Sequence, residues 1–208
     1  KVMTEEKASV KTICVFSGSR DGNSPAFTAA ARALGKLMTE QNLSLMYGSG
    51  TCGMMGAIAE SVIENGGKVT GIVPGWLIAA EAALPTKPFT QSDNYKMITV
   101  DTMHQRKTQM YSGSDVFIAM PGGFGTLEEL SEVITWCQIG LHAKPIGILN
   151  TNGYFDALLA WIEQAKANGF ISSKKYIVSD KDPANLLVKL VQHKPPKSSI
   201  KPSKAAYN

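Results

Sequence analysis

Short, nearly continuous apolar runs separated by segments of helical period constrain this chain more than any other feature. The runs fall at 10–16, 43–47, 68–73, 95–100, 115–120, 144–149 and 176–178. Helical spacing fills most of the gaps. Ser24-Pro25 supplies a cap and a first-turn proline for a helix to about residue 40. Further helices are predicted over 53–65, 102–112, 127–139 and 154–168, with a last one opening at Asp182-Pro183. A short helix over 76–83 and a loop to residue 94 complete the pattern. Strands without a polar alternate position are buried on both faces, so the expected class is α/β, a mainly parallel sheet with helices on both sides. Such sheets bind ligands at their C-terminal strand ends.

One domain over 10–193 is expected, with an N-terminal extension over 1–9 and a basic tail over 194–208. The tail lysines Lys194, Lys197, Lys201 and Lys204 account for the whole formal net charge of +4. The remainder is therefore neutral, which argues against nucleic acid as a partner. No apolar stretch approaches a membrane span, and no leader-like run is visible. Cys14, Cys52 and Cys137 are odd in number and lie in or beside apolar segments. Buried free thiols in a reducing, cytoplasmic compartment are expected. His104, His142 and His193 show no metal-ligand spacing, so neither a metal nor a cofactor is expected.

Three motifs sit at the expected ligand edge. Pro121-Gly-Gly-Phe-Gly-Thr-Leu-Glu-Glu129 follows an apolar run and opens a helix. Gly122, Gly123 and Gly125 let the backbone approach a ligand, and a helix N-terminus offers free N–H groups to an anion. Thr126-x-x-Glu129 is also a capping-box pattern. Yet Glu128 and Glu129 beside an anion cradle would repel it, which suggests that a developing positive charge is handled there. Met103, Arg106, Lys107 and Met110 form one helical stripe, facing a ligand or snorkelling at an edge. Gly48-x-Gly50-x-x-Gly53 matches a dinucleotide fingerprint, but the next strand ends at Val73-Pro74 with no acid to hold a ribose. Close approach to another ligand, or tight packing, explains it better.

Pro121–Glu129 together with Met103-His-Gln-Arg-Lys107 resembles the LOG ("Lonely Guy") family, cytokinin-activating phosphoribohydrolases often labelled lysine decarboxylases. The similarity runs from about residue 13 to 190 and includes Phe16-Ser-Gly-Ser19, Tyr47-Gly-Ser-Gly50 and Thr135-Trp136. The chain departs from it at Ser17 and Ser49. The resemblance implies a Rossmann-like fold, at least a homodimer, and a nucleoside 5′-monophosphate as the small-molecule partner. It implies cleavage of the N-glycosidic bond to free cytokinin and ribose 5-phosphate, with Arg106 and Glu129 catalytic. Phosphate contacts would fall on Gly122, Gly123, Gly125 and Thr126, with Ser19 helping. Met103, Lys107, Glu128 and Glu81 would complete the substrate site. Non-catalytic nucleotide binders and molybdenum-cofactor carriers of the same fold are the alternative.

Overall fold

A computed structural model describes residues 10–81, 89 and 92–198, the side chains of residues 79–81 excepted. Seven parallel strands form one sheet in the order β4-β3-β2-β1-β5-β6-β7. They are β1 (Thr12–Phe16), β2 (Ser44–Tyr47), β3 (Val69–Pro74), β4 (Tyr95–Val100), β5 (Val116–Ala119), β6 (Ile146–Leu149) and β7 (Val178–Asp180). The helices are α1 (Pro25–Glu40), α2 (Gly53–Glu64), α3 (Gly75–Glu81), α4 (Met103–Ser112), α5 (Phe124–Gln138), α6 (Asp156–Ala167) and α7 (Pro183–Gln192). The α/β expectation, parallel and covered on both faces, matches this architecture.

Alternate residues of β1 show why its sequence is apolar throughout. Ile13 and Val15 enter a core with α1, α2 and α7, while Cys14 and Phe16 enter a second core with α4 and α5. A strand covered on both sides has no position at which a polar residue would meet water. Cys14 and Cys137 are buried free thiols as expected, but Cys52 is only half-buried because it stands at the N-cap of α2. Among the described residues, no helix is long and apolar enough to cross a membrane.

The order in which strands are added reverses between β1 and β5, although the strands themselves stay parallel. The connection from β1 leads away to β2, and that from β5 leads to β6 on the other side. Loops after these two strands therefore diverge and leave a crevice. Phe16 is paired with Ala119 at its floor.

Most boundaries shift by a residue or two from the sequence reading, and three of the shifts have a local reason. Helix α5 starts at Phe124, not Leu127, with Gly123 as its N-cap. Helix α6 starts at Asp156, because left-handed Asn152 (φ 54°) and Gly153 (φ 72°) close a separate 3-10 turn over Thr151–Gly153. The last strand lies at Val178–Asp180, while Tyr176 is buried in the core beneath α5. The short helix after β3 is present as α3; residues 82–83 of the expected helix and 84–88 and 90–91 of the expected loop lie outside the described residues.

Candidate active site

The crevice holds a cleft of about 390 Å³, walled by Ser19 and Arg20 after β1, Gly122 and Gly123 after β5, and Tyr154. One wall is the N-terminus of α5. Its first helical bond runs from Leu127 N–H to Gly123 O at 3.1 Å. The N–H groups of Phe124, Gly125 and Thr126 therefore precede the hydrogen-bonded ladder and face outward. An anion is the ligand such a turn favours.

The glycines separate by what surrounds them. A Cβ on Gly122 would stand 2.7 Å from Gly18 N and against the Thr126 hydroxyl, so the fold itself requires glycine there. A Cβ on Gly123 or Gly125 would meet nothing within 4 Å, and neither residue has positive φ. Packing leaves these two places open, which is what backbone approach by a ligand needs. Thr126 is buried within the first turn of α5, not at its cap. The capping-box reading of Thr126 and Glu129 therefore fails: Gly123 is the cap residue, and it has no side chain to leave a sequence signature.

Glu129 lies less than one turn beyond Thr126, about 4.5 Å along the helix axis. Its carboxylate faces the Arg106 guanidinium, Nη2 to Oε1 at 3.8 Å, with side chains 12% and 10% exposed. Burial pushes the Glu129 carboxyl up to about 7, against the opposing pull of Arg106. A capping box sets the start of α4 and hence the place of Arg106. Thr102 Oγ1 accepts from Gln105 N–H at 3.1 Å, and Gln105 Oε1 accepts from Thr102 N–H at 3.3 Å. Arg106 is poorly satisfied for a buried guanidinium. Nη2 donates to Gly48 O at 3.4 Å, Nη1 lies 3.8 Å from Met103 Sδ, and Nε has no partner among the described residues. Buried polar groups are ordinarily paired, so this side chain keeps unused donor capacity.

Lys107 turns elsewhere. Its Nζ donates to Glu128 at 2.6 Å and to Glu132 at 2.9 Å, tying α4 to α5 on both sides of Glu129. Desolvation lowers the Lys107 ammonium, but its hydrogen bonds to the two carboxylates outweigh it and leave it raised. Met103 is partly exposed beside Arg106, and Ser19 is exposed in the cleft wall. The Glu81 side chain lies outside the described residues.

Sequence reasoning did not single out Tyr154 or the role of Gly48. The Tyr154 hydroxyl donates to Gly122 O. A Cβ on Gly48 would collide with Arg106 Nη2, so close packing explains this first glycine of the fingerprint. The dinucleotide reading fails for a further reason. The N–H groups of Met54 and Met55 at the start of α2 already donate to Arg20 O (3.4 Å) and Gly18 O (3.1 Å).

Comparison with known proteins identifies the family. Residues 55–190 match a family model described as "Possible lysine decarboxylase". The chain is 43% identical over 195 residues to the cytokinin riboside 5′-monophosphate phosphoribohydrolase LOG2 of Arabidopsis thaliana, covering 93% of this chain and 88% of that protein. It is 41% identical over 204 residues to LOG1 of the same plant, covering 98% and 92%. A molybdenum cofactor carrier protein from Chlamydomonas reinhardtii shares the fold, with a TM-score of 0.64 at 20% identity over 88% of this chain and 98% of that one. A molybdenum cofactor binding protein from Rippkaea orientalis does so with a TM-score of 0.61 at 21% identity, over 89% and 98%. By its match to the family model and its identity to these plant enzymes over nearly its whole length, the chain belongs to the LOG family of cytokinin riboside 5′-monophosphate phosphoribohydrolases.

Proposed function

We propose that this chain hydrolyses the N-glycosidic bond of cytokinin nucleoside 5′-monophosphates, giving the free base and ribose 5-phosphate. AMP is a further substrate to test. The observation that carries the reading is the open N–H array of α5 within one turn of a buried Glu129 paired with Arg106. Gly122, Gly123, Gly125 and Thr126 would hold the 5′-phosphate, with Ser19 at the opposite wall, and so fix the ribose. Cleavage sends the bonding electrons to the base nitrogen, which takes up a proton, and water supplies hydroxide to C1′. The sugar carbon gains positive character as the bond breaks. Ionised Glu129 places negative charge against it and can take the proton of the incoming water. A carboxyl near pH 7 is matched to that exchange. Arg106 orients Glu129 and the sugar. Met103 and Glu81 would border the bound nucleotide, while Lys107, held by Glu128 and Glu132, would act on Glu129 from the side.

The catalytic unit would be residues 10–193, with the extension and the basic tail outside it. Free thiols at Cys14, Cys52 and Cys137 support a reducing, cytoplasmic setting. A homodimer or higher oligomer is supported by the family and by large apolar side chains left at the surface, among them Trp161 at 60% and Phe170 at 84% exposure. Light scattering reads the oligomeric state.

A panel of nucleoside 5′-monophosphates, incubated with the protein and followed by chromatography, tests the reaction. Release of isopentenyladenine or a zeatin-type base is expected. Binding without release would support instead a carrier like the molybdenum-cofactor proteins that share the fold.

A further inference from the structure

Loop 121–123 has every carbonyl engaged. Pro121 O accepts from Gly18 N–H at 3.0 Å, and Gly123 O accepts from Leu127 N–H at 3.1 Å. Gly122 O accepts from the Tyr154 hydroxyl at 2.5 Å. The N–H groups of Gly122, Gly123, Phe124, Gly125 and Thr126 meet no acceptor among the described residues. Successive free N–H groups of this kind form an anion-binding concavity. Two of the three carbonyls are held by the backbone itself. The middle one depends on a side chain from another element.

That dependence matters because of peptide geometry. In a trans peptide the C=O and the following N–H point in opposite directions. The partner of Gly122 O therefore decides where Gly123 N–H points. Glycines on both sides put little steric hindrance in the way of rotating that peptide. Turned over, it would set a carbonyl oxygen where the anion belongs.

Tyr154 is carefully placed for this contact. Left-handed Asn152 and Gly153 turn the chain after β6. Asn150 Oδ1 accepts from Phe155 N–H, and Asn150 Nδ2 donates to Asp156, each at 2.7 Å, which fixes the turn. The Tyr154 ring packs edge-on against Phe27 and Phe155, at 5.9 and 5.0 Å between centroids. These contacts would suit phenylalanine equally. They leave the hydroxyl unexplained, and it reaches Gly122 from a side chain 47% exposed in the cleft wall.

We propose that Tyr154 is a positioning residue that locks the Gly122–Gly123 peptide with its N–H toward the substrate phosphate. The inference rests on the phosphate-binding reading of this loop. Its test is calorimetric titration of wild type and Tyr154→Phe with ribose 5-phosphate and, separately, with isopentenyladenine, alongside thermal melts. The variant should bind ribose 5-phosphate about tenfold or more weakly, the scale of a lost hydrogen bond to an anion. Isopentenyladenine affinity and Tm should stay as in wild type, and in turnover KM should rise with kcat kept. Unchanged ribose 5-phosphate affinity overturns the proposal, as does an equal loss for both ligands. Failure of the wild type to release base overturns the hydrolase reading alone, because this titration needs no turnover.

Discussion

Arg106 and Glu129 face each other at 3.8 Å from neighbouring helices, both side chains about nine-tenths buried, and too far apart for a direct hydrogen bond. Such a pair leaves room for a substrate atom or water between its members. What holds the guanidinium there is largely Gly48, whose carbonyl it touches and whose missing side chain it occupies. Gly48 does not have positive φ, so the backbone accepts alanine, while the new methyl group displaces Arg106. Displacements of about 1 Å at a reacting group can cost about 10²-fold in rate. Gly48→Ala should lose kcat/KM on that scale, measured by chromatographic base release, with its circular dichroism unchanged.

Glu129 should also set a pH-dependent stability. Its folded carboxyl lies near 7 against 4.5 ordinarily, so the folded protein holds a proton that the unfolded chain releases in between. Stability therefore falls as pH rises through that window, by roughly 3 kcal/mol in full. Glutamine does not ionise. The Glu129→Gln variant should melt above wild type at pH 8, and the gap should close as pH falls toward 4.5. A gap independent of pH would mean that Glu129 is not a strained carboxylate. Wild-type turnover, which needs the ionised form, should rise with pH through about 7.

Lys107 sits between Glu128 and Glu132 and lowers Glu129, whereas the two glutamates raise it. Lys107→Met removes the cation and leaves both anions, so the acid limb of the turnover profile should move above its wild-type midpoint. Glu132→Gln should move it the other way. A pH–rate series on the three proteins decides.

The glycines of the α5 turn should divide into two kinds. Gly125→Ala adds a methyl group in open space within a helix, where alanine is favoured by about 0.5–1 kcal/mol. Its Tm should hold or rise while KM for a nucleoside monophosphate increases. Gly122→Ala meets Gly18 N and Thr126 and should lower stability by about 1–3 kcal/mol. Normal monophosphate binding by Gly125→Ala would move the phosphate elsewhere.

The strands were legible because β1, β5 and their neighbours are buried on both faces, which leaves nearly uninterrupted apolar runs. The α4 start was legible to within a residue, because Asp101 and Thr102 both carry capping side chains and Thr102 is the one that caps. The start of α5 was not, since its cap is a glycine, and Thr126-x-x-Glu129 imitates a box three residues downstream. Pairing of Arg106 with Glu129 came from a family likeness, because no local pattern links residues on two helices. Tyr154 left no signal: one aromatic residue in a turn reveals its role only when Gly122 lies under its hydroxyl. The Gly48-x-Gly50-x-x-Gly53 pattern was visible, but its causes are tertiary: Arg106 lies against Gly48, the Met55 side chain against Gly50 and the Ser19–Arg20 backbone against Gly53.

The most direct test is single-turnover base release from isopentenyladenosine monophosphate by wild type and Glu129→Gln, with ribose 5-phosphate binding measured on both. Wild type should release isopentenyladenine, and the variant should be slower by about 10²–10⁴ while still binding ribose 5-phosphate. Release by Glu129→Gln at a near wild-type rate would contradict the assignment of Glu129 and Arg106 as the catalytic pair.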